Sequence, residues 1–223
     1  MPVPFPHYVR IKDNYCCNYL GIAPEYVVAL RLLKPQIEKQ LPGLKLWIGC
    51  RDEFGYLLAG ESQVVFQSEM EKRKNEFAYI REIRNNATSH SILDLMVQSE
   101  IKIEPIPKKI GDVSEKICLI CPEGIEPTKS MSEASLDIAA HEAARLGYTP
   151  IVVGSDVHHS IKKIHLRPQG EDKIKYAKAA GWIVGVENEY LFLGASSSIK
   201  ITLVESGIGT SLFKKLFPYT EVI

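Results

Sequence analysis

No sign of charge dominates this sequence: 27 Lys and Arg face 27 Asp and Glu along 223 residues. The balance also holds locally, at +2 over residues 1–109 and −2 over residues 110–223. A protein that neutralises many phosphates shows a basic excess or stripe, so no nucleic-acid partner is expected. No apolar run approaches the roughly 18 residues of a membrane span. Met1–Tyr15, rich in proline and polar groups, has no apolar signal core. Repeats and low-complexity tracts are absent, and the composition excludes collagen-like, coiled-coil and disordered chains. What remains is a soluble α/β protein, expected in the cytoplasm, with no transmembrane segment; peripheral membrane contact stays open.

Cysteine is sparse as well. Five residues, at 16, 17, 50, 118 and 121, are an odd number in a chain too long to need disulfide staples. Cys118-Leu-Ile-Cys121 has the CxxC spacing of zinc and redox sites. It lies in an apolar run that reads as a strand, where positions three apart point to opposite faces; core cysteines are the favoured reading. Cys16-Cys17 and His158-His159 are adjacent pairs without matching partners, and no metal is expected.

The first half reads as a strand at Tyr8–Lys12, a polar loop over 13–23, and a helix from Pro24 with Val27, Val28, Leu30, Leu33 and Ile37 inward. Pro35 should kink that helix and Pro42-Gly43 should end it. Strands follow at Leu44–Cys50 and Val64–Gln67, the mixed run Glu69–Glu76 reads as a solvated face, and helices are expected over Glu76–Arg84 and Ser91–Ser99. Lys102–Asp112, with two prolines and three lysines, resembles a linker and places the domain boundary at 1–104 and 105–223. Beyond it, strands Ile117–Cys121, Ile151–Val153, Trp182–Val186 and Lys200–Val204 alternate with helices. The helices are one starting near Ser130 and Glu133 (capping-box spacing) and ending at Gly147, then Asp172–Ala180, Leu191–Ser196 and Leu212–Leu216. Alternation of this kind makes a parallel sheet covered by helices, with ligands at the carboxyl ends of its strands.

On that rule the informative loop is Pro122–Ser130. Lys129 ahead of a helix start brings an ammonium and free N–H groups together, which suits a diphosphate, with Ser130 as cap or phosphate donor. A solvated lysine beside an ordinary cap reads equally well. His158, His159 and His165 with Lys162, Lys163 and Arg167 form a basic cluster that could hold an anion or simply be a solvated loop, the favoured reading.

The segment Ile120–Ser132, then a helix, then Ile151-Val-Val-Gly-Ser155, resembles the donor domain of heptosyltransferase-type glycosyltransferases (ADP-heptose:lipopolysaccharide type). Trp182-Ile-Val-Gly-Val-Glu-Asn-Glu-Tyr-Leu-Phe-Leu-Gly-Ala195 is similar to that family's later Gly-Val strand and short helix. Gly21-Ile-Ala-Pro-Glu25 looks like its first loop, more faintly. The resemblance implies a GT-B-like fold: two Rossmann-like parallel-sheet domains facing a cleft, the N-terminal one trimmed and acceptor-side, the C-terminal one binding the nucleotide sugar. It implies Lys129 and Ser130 on the donor phosphates, Gly154 and Ser155 beside the nucleotide, and Glu187 and Asn188 as donor-binding residues in the turn after the Gly-Val strand. Glu25 would be the catalytic carboxylate that takes the acceptor proton; a helix-start carboxylate favoured by the macrodipole is the competing account. The implied partners are a nucleotide-diphosphate sugar and a glycan or lipid-linked acceptor, with no cofactor. The chain departs from the pattern at Glu189, Phe192 and Glu205, where the family has glycine, histidine and glycine. Those departures keep a catalytically silent binding protein of the same fold as the alternative. A single-domain nucleotide-binding protein is the third option.

Overall fold

The computed structural model describes residues 14–84, 96, 99–107, 115–124, 130–154, 164–197, 199–204 and 212–223. The chain divides into two compact units, residues 1–104 and 105–223. Each is built on its own parallel sheet.

In the first unit the elements are β1 (Asn14–Tyr19), α1 (Pro24–Gln40), β2 (Lys45–Cys50), a 3-10 turn (Asp52–Leu58), β3 (Val64–Phe66), α2 (Gln67–Arg73) and β4 (Tyr79–Ile83). The sheet order is β3-β2-β1-β4. The central strand β1 falls where a polar loop was expected; the expected strand Tyr8–Lys12 lies outside the described residues. β1 contains no Val or Ile, yet Cys16 and Cys17 are fully buried and act as small apolar side chains between sheet neighbours. Burial pushes the Cys16 thiol up to about 12 and the Cys17 thiol well above its usual range.

Helix α1 starts at Pro24, whose missing N–H costs nothing in a first turn, and buries Val27, Leu30, Leu33 and Ile37. It runs unbroken through Pro35, which faces solvent, so water can serve the carbonyl that proline leaves without its helical partner. Gly43, at φ 96°, turns the chain toward β2. The segment Glu76–Arg84 contains strand β4 where a helix was expected. Its apolar residues sit three apart, but only Phe77 and Ile83 are buried, while Ile80 is exposed and the backbone pairs with β1 from Tyr15↔Tyr79 to Tyr19↔Ile83. The charged run before it is only partly solvated. Met70 packs with Cys16, Val65 and Phe77, and the Arg73 guanidinium lies 4.9 Å from the Trp47 ring centre. The expected helix Ser91–Ser99 lies mostly outside the described residues. The supposed linker begins as part of this unit: Gln36 and Gln40 each exchange two hydrogen bonds with the backbone of Glu104 and Lys102.

The second unit contains β5 (Ile117–Cys121), α3 (Glu133–Arg145), β6 (Thr149–Val153), β7 (Ile164–Leu166), α4 (Glu171–Ala179), β8 (Trp182–Gly185), α5 (Glu189–Ala195), β9 (Lys200–Leu203), α6 (Leu212–Leu216) and β10 (Glu221–Val222). The parallel order β10-β9-β8-β5-β6-β7 is the doubly wound one: the chain moves outward from β5 through β6 to β7, then restarts at β8 on the other side. Cys118, Ile120, Val152, Trp182 and Val184 pack against Leu136, Ala140 and Ala143 of α3. The alanines let the helix approach closely. The short edge strands β7 and β10 went unread in the sequence, three and two residues being too few to show alternation.

The five cysteines are all buried and free. Among the described residues no helix is long and apolar enough to cross a membrane, and no three His, Cys, Asp or Glu side chains converge as metal ligands would.

Candidate functional site

In an open parallel sheet, neighbouring crossovers that leave in opposite directions open a crevice at the carboxyl ends of the strands. In the second unit that switch point lies between β5 and β8. Three segments meet there: the residues after β5, the Gly154 end of β6, and the turn from β8 into α5.

Asn188 ties them together. It is 4% exposed, and its Oδ1 accepts from the N–H groups of Tyr190 (3.0 Å) and Leu191 (3.3 Å), capping α5. Its Nδ2 donates to the Glu123 carbonyl at 3.2 Å, which fastens the loop after β5 to the turn after β8. This side chain, expected among the donor-binding residues, holds the turn through these bonds. Glu187 is similarly engaged: its Oε1 accepts from the Phe213 N–H at the start of α6, at 3.3 Å. Gly154 makes room for Glu123, since a Cβ there would stand 2.9 Å from the Glu123 carboxyl carbon.

Ser130 does not cap α3. Ser132 does, accepting from the Ser135 N–H at 3.1 Å, two residues nearer the helix than the capping-box spacing with Glu133 implied. Ser130 is exposed, just before Met131, whose N–H reaches the Pro122 carbonyl at 2.7 Å and closes the stem of the loop. Lys129 and Ser155 lie outside the described residues, as do Glu205, His158, His159, Lys162 and Lys163. His165 belongs to β7. Arg167 is exposed.

Two departures take on a physical meaning here. Glu189, 8% exposed in the first turn of α5, accepts an ion pair from Lys173 of α4 at 2.7 Å. Its charge is compensated within the fold, and Lys173 carried no sequence signal that singled it out. Phe192, 1% exposed, sits 5.1 Å from Phe213 and 6.3 Å from Phe217 between ring centres, so it belongs to an aromatic core and not to a site.

In the first unit the switch point lies between β1 and β4. The connection after β1 is held by the Leu20 N–H on the Ile83 carbonyl (2.9 Å) and the Ala23 N–H on the Tyr19 hydroxyl (3.1 Å). Glu25 follows directly, 7% exposed in the first turn of α1, where the helix dipole favours a carboxylate.

Several solved glycosyltransferases share this arrangement. A glycosyl transferase family 9 protein from Veillonella parvula aligns over 96% of this chain and 86% of its own, with a TM-score of 0.61 at 8% identity. The E. coli ADP-heptose lps heptosyltransferase II covers 95% and 90% of the two chains, at 0.63 and 10%. E. coli heptosyltransferase WaaC, solved with ADP, covers 93% and 92%, at 0.57 and 10%. The chain has a GT-B-like fold. No protein-family model and no curated protein sequence matches it. Within this GT-B-like frame, Glu25 and the Gly154–Glu123–Asn188 cluster each stand at the switch point of their own sheet.

Proposed function

We propose that this GT-B-like chain is a glycosyltransferase that moves a sugar from a nucleoside-diphosphate donor to a glycan or lipid-linked acceptor. The observation that carries the reading is the doubly wound order of the second sheet, with Gly154 and the Asn188-held turn at its switch point. On this reading residues 105–223 take the donor. Lys129 and Ser130 meet the diphosphate, Gly154 and Ser155 border the nucleotide, and Asn188 and Glu187 hold the shape of the turn. Residues 1–104 present the acceptor to Glu25, and the reaction proceeds in the cytoplasm. The Glu25 carboxylate takes the acceptor hydroxyl proton as that oxygen bonds to the anomeric carbon; the anomeric C–O bond breaks and its electron pair leaves on the diphosphate. Lys129 and backbone N–H groups would offset the leaving charge in place of a metal ion.

The test is product formation from a panel of nucleotide sugars and glycan acceptors, with Glu25→Gln as control. Turnover that falls at least a hundredfold in Glu25→Gln supports the reading. Turnover unaffected by the substitution removes Glu25 from the chemistry.

A second reading, a catalytically silent binding protein, is favoured by the commitment of Asn188 and Glu187 to helix starts and by Phe192 in the core. No turnover across the panel, together with association of the chain with a partner detected by light scattering, would select it.

A further inference from the structure

A carboxylate is an unexpected neighbour for a diphosphate. Glu189 nevertheless stands at the β5/β8 switch point, its side chain 10% exposed and its charge felt at Cys121, the last residue of β5. Two unit charges roughly 8 Å apart in a medium of effective dielectric about 20 interact by about three to four times thermal energy, or roughly thirtyfold in affinity. An uncompensated Glu189 would therefore repel the ligand that the fold is read to bind. The half-buried Lys173, from the first turn of α4, lies on the same carboxyl edge of the sheet and places its Nζ 2.7 Å from Glu189 Oε1.

We propose that Lys173 is a specificity-determining residue: it cancels the charge of Glu189 and so lets this switch point accept a diphosphate, without itself gripping the phosphates. The proposal rests on the donor-site reading above. Two further carboxylates belong to segments of the same switch point. Glu187 accepts the Phe213 N–H, and Glu123 lies over Gly154. Lys173 is the cation that the hydrogen-bond geometry pairs with Glu189, so its loss leaves that carboxylate uncompensated. The pair has no need to open for the ligand, because neutrality is what it supplies.

The experiment is calorimetric titration of the full chain and three variants, Lys173→Gln, Glu189→Gln and the double substitution. The probes are ADP and UDP, set against adenosine and uridine. Lys173→Gln is expected to weaken diphosphate binding at least tenfold while nucleoside binding stays within twofold. Glu189→Gln leaves one ammonium in excess and should tighten diphosphate binding three- to tenfold. The double variant should return to within about threefold of the parent. Raising the salt from 0.05 M to 0.5 M should shrink all these differences. A double variant as weak as Lys173→Gln would overturn the proposal, showing that Lys173 grips phosphate directly. Equal binding by all four proteins would overturn it too, leaving the ion pair purely structural. Should Lys173→Gln fail to fold, Glu189→Gln decides alone: tighter binding supports compensation, unchanged or weaker binding overturns it. A parent chain that binds neither diphosphate removes the donor-site reading and this inference together, whereas a binding parent with unresponsive variants removes only the inference.

Discussion

Asn188→Ala is the perturbation that the second unit should feel most specifically. It removes the cap of α5, which costs about 1 kcal/mol. It also strips partners from the buried Tyr190 and Leu191 N–H groups and from the Glu123 carbonyl. Groups left unsatisfied in such surroundings cost about 1 kcal/mol or more each, although the cap term already contains one of them. The expected loss is about 2–4 kcal/mol. The two tryptophans separate the units, since Trp47 lies in β2 and Trp182 in β8. In a Trp47→Phe background, urea unfolding followed by Trp182 fluorescence reports the second unit. Asn188→Ser should recover the capping share and lose only the tie to Glu123, falling about midway. A midpoint for Asn188→Ala that corresponds to less than about 0.5 kcal/mol would refute the scaffold role and return Asn188 to the ligand.

Three other outcomes follow from the same geometry. Phe192→His, which restores the resembled family's residue, should destabilise by about 3 kcal/mol in urea unfolding, because a polar ring enters the Phe213/Phe217 cluster. Gly185→Ala should leave little folded protein in a solubility and circular-dichroism comparison, since its Cβ would strike the Cys121 carbonyl of the adjoining strand. Stability should be flat from about pH 6 to 8 and fall between pH 9 and 12. Burial raises Cys16, Cys50 and Cys118 from 9.0 to about 12, so above pH 9 the unfolded chain sheds protons that the folded one keeps. Each such thiol costs about 1.4 kcal/mol per pH unit. A midpoint that stays constant to pH 11 would show that these thiols ionise in place.

Most of the second unit was legible because its main strands and helices carry their own signals: Ile117–Cys121 and Trp182–Gly185 are continuous apolar runs, and α3 is rich in alanine and followed by Gly147. The first unit misled where tertiary pairing overrode local pattern. β1 is a strand because it is the central partner of β2 and β4, which a six-residue stretch of Asn, Tyr and Cys does not announce. Conversely, Phe77, Ile80 and Ile83 have helical spacing, but edge pairing with β1 wins and leaves Ile80 outside. At the site, the sequence located the loops through topology but could not assign the side-chain partners. Glu189 read only as a departure from the resembled pattern, because its partner Lys173 is sixteen residues away on another helix. The turn-holding role of Asn188 was not legible, because its bond to the Glu123 carbonyl exists only after the sheet has formed.

The measurement that bears most directly on the central claim is the thermal unfolding of the chain in millimolar ADP, GDP and UDP. A ligand that binds only the folded chain stabilises it by about 2.7 kcal/mol at a hundred times its Kd. A donor site at this switch point should raise Tm by several degrees with at least one of the three, and the rise should be lost in Lys129→Ala. No shift with any of them at about 10 mM, roughly ten times the upper end of ordinary KM values, together with no effect of Lys129→Ala, would contradict it.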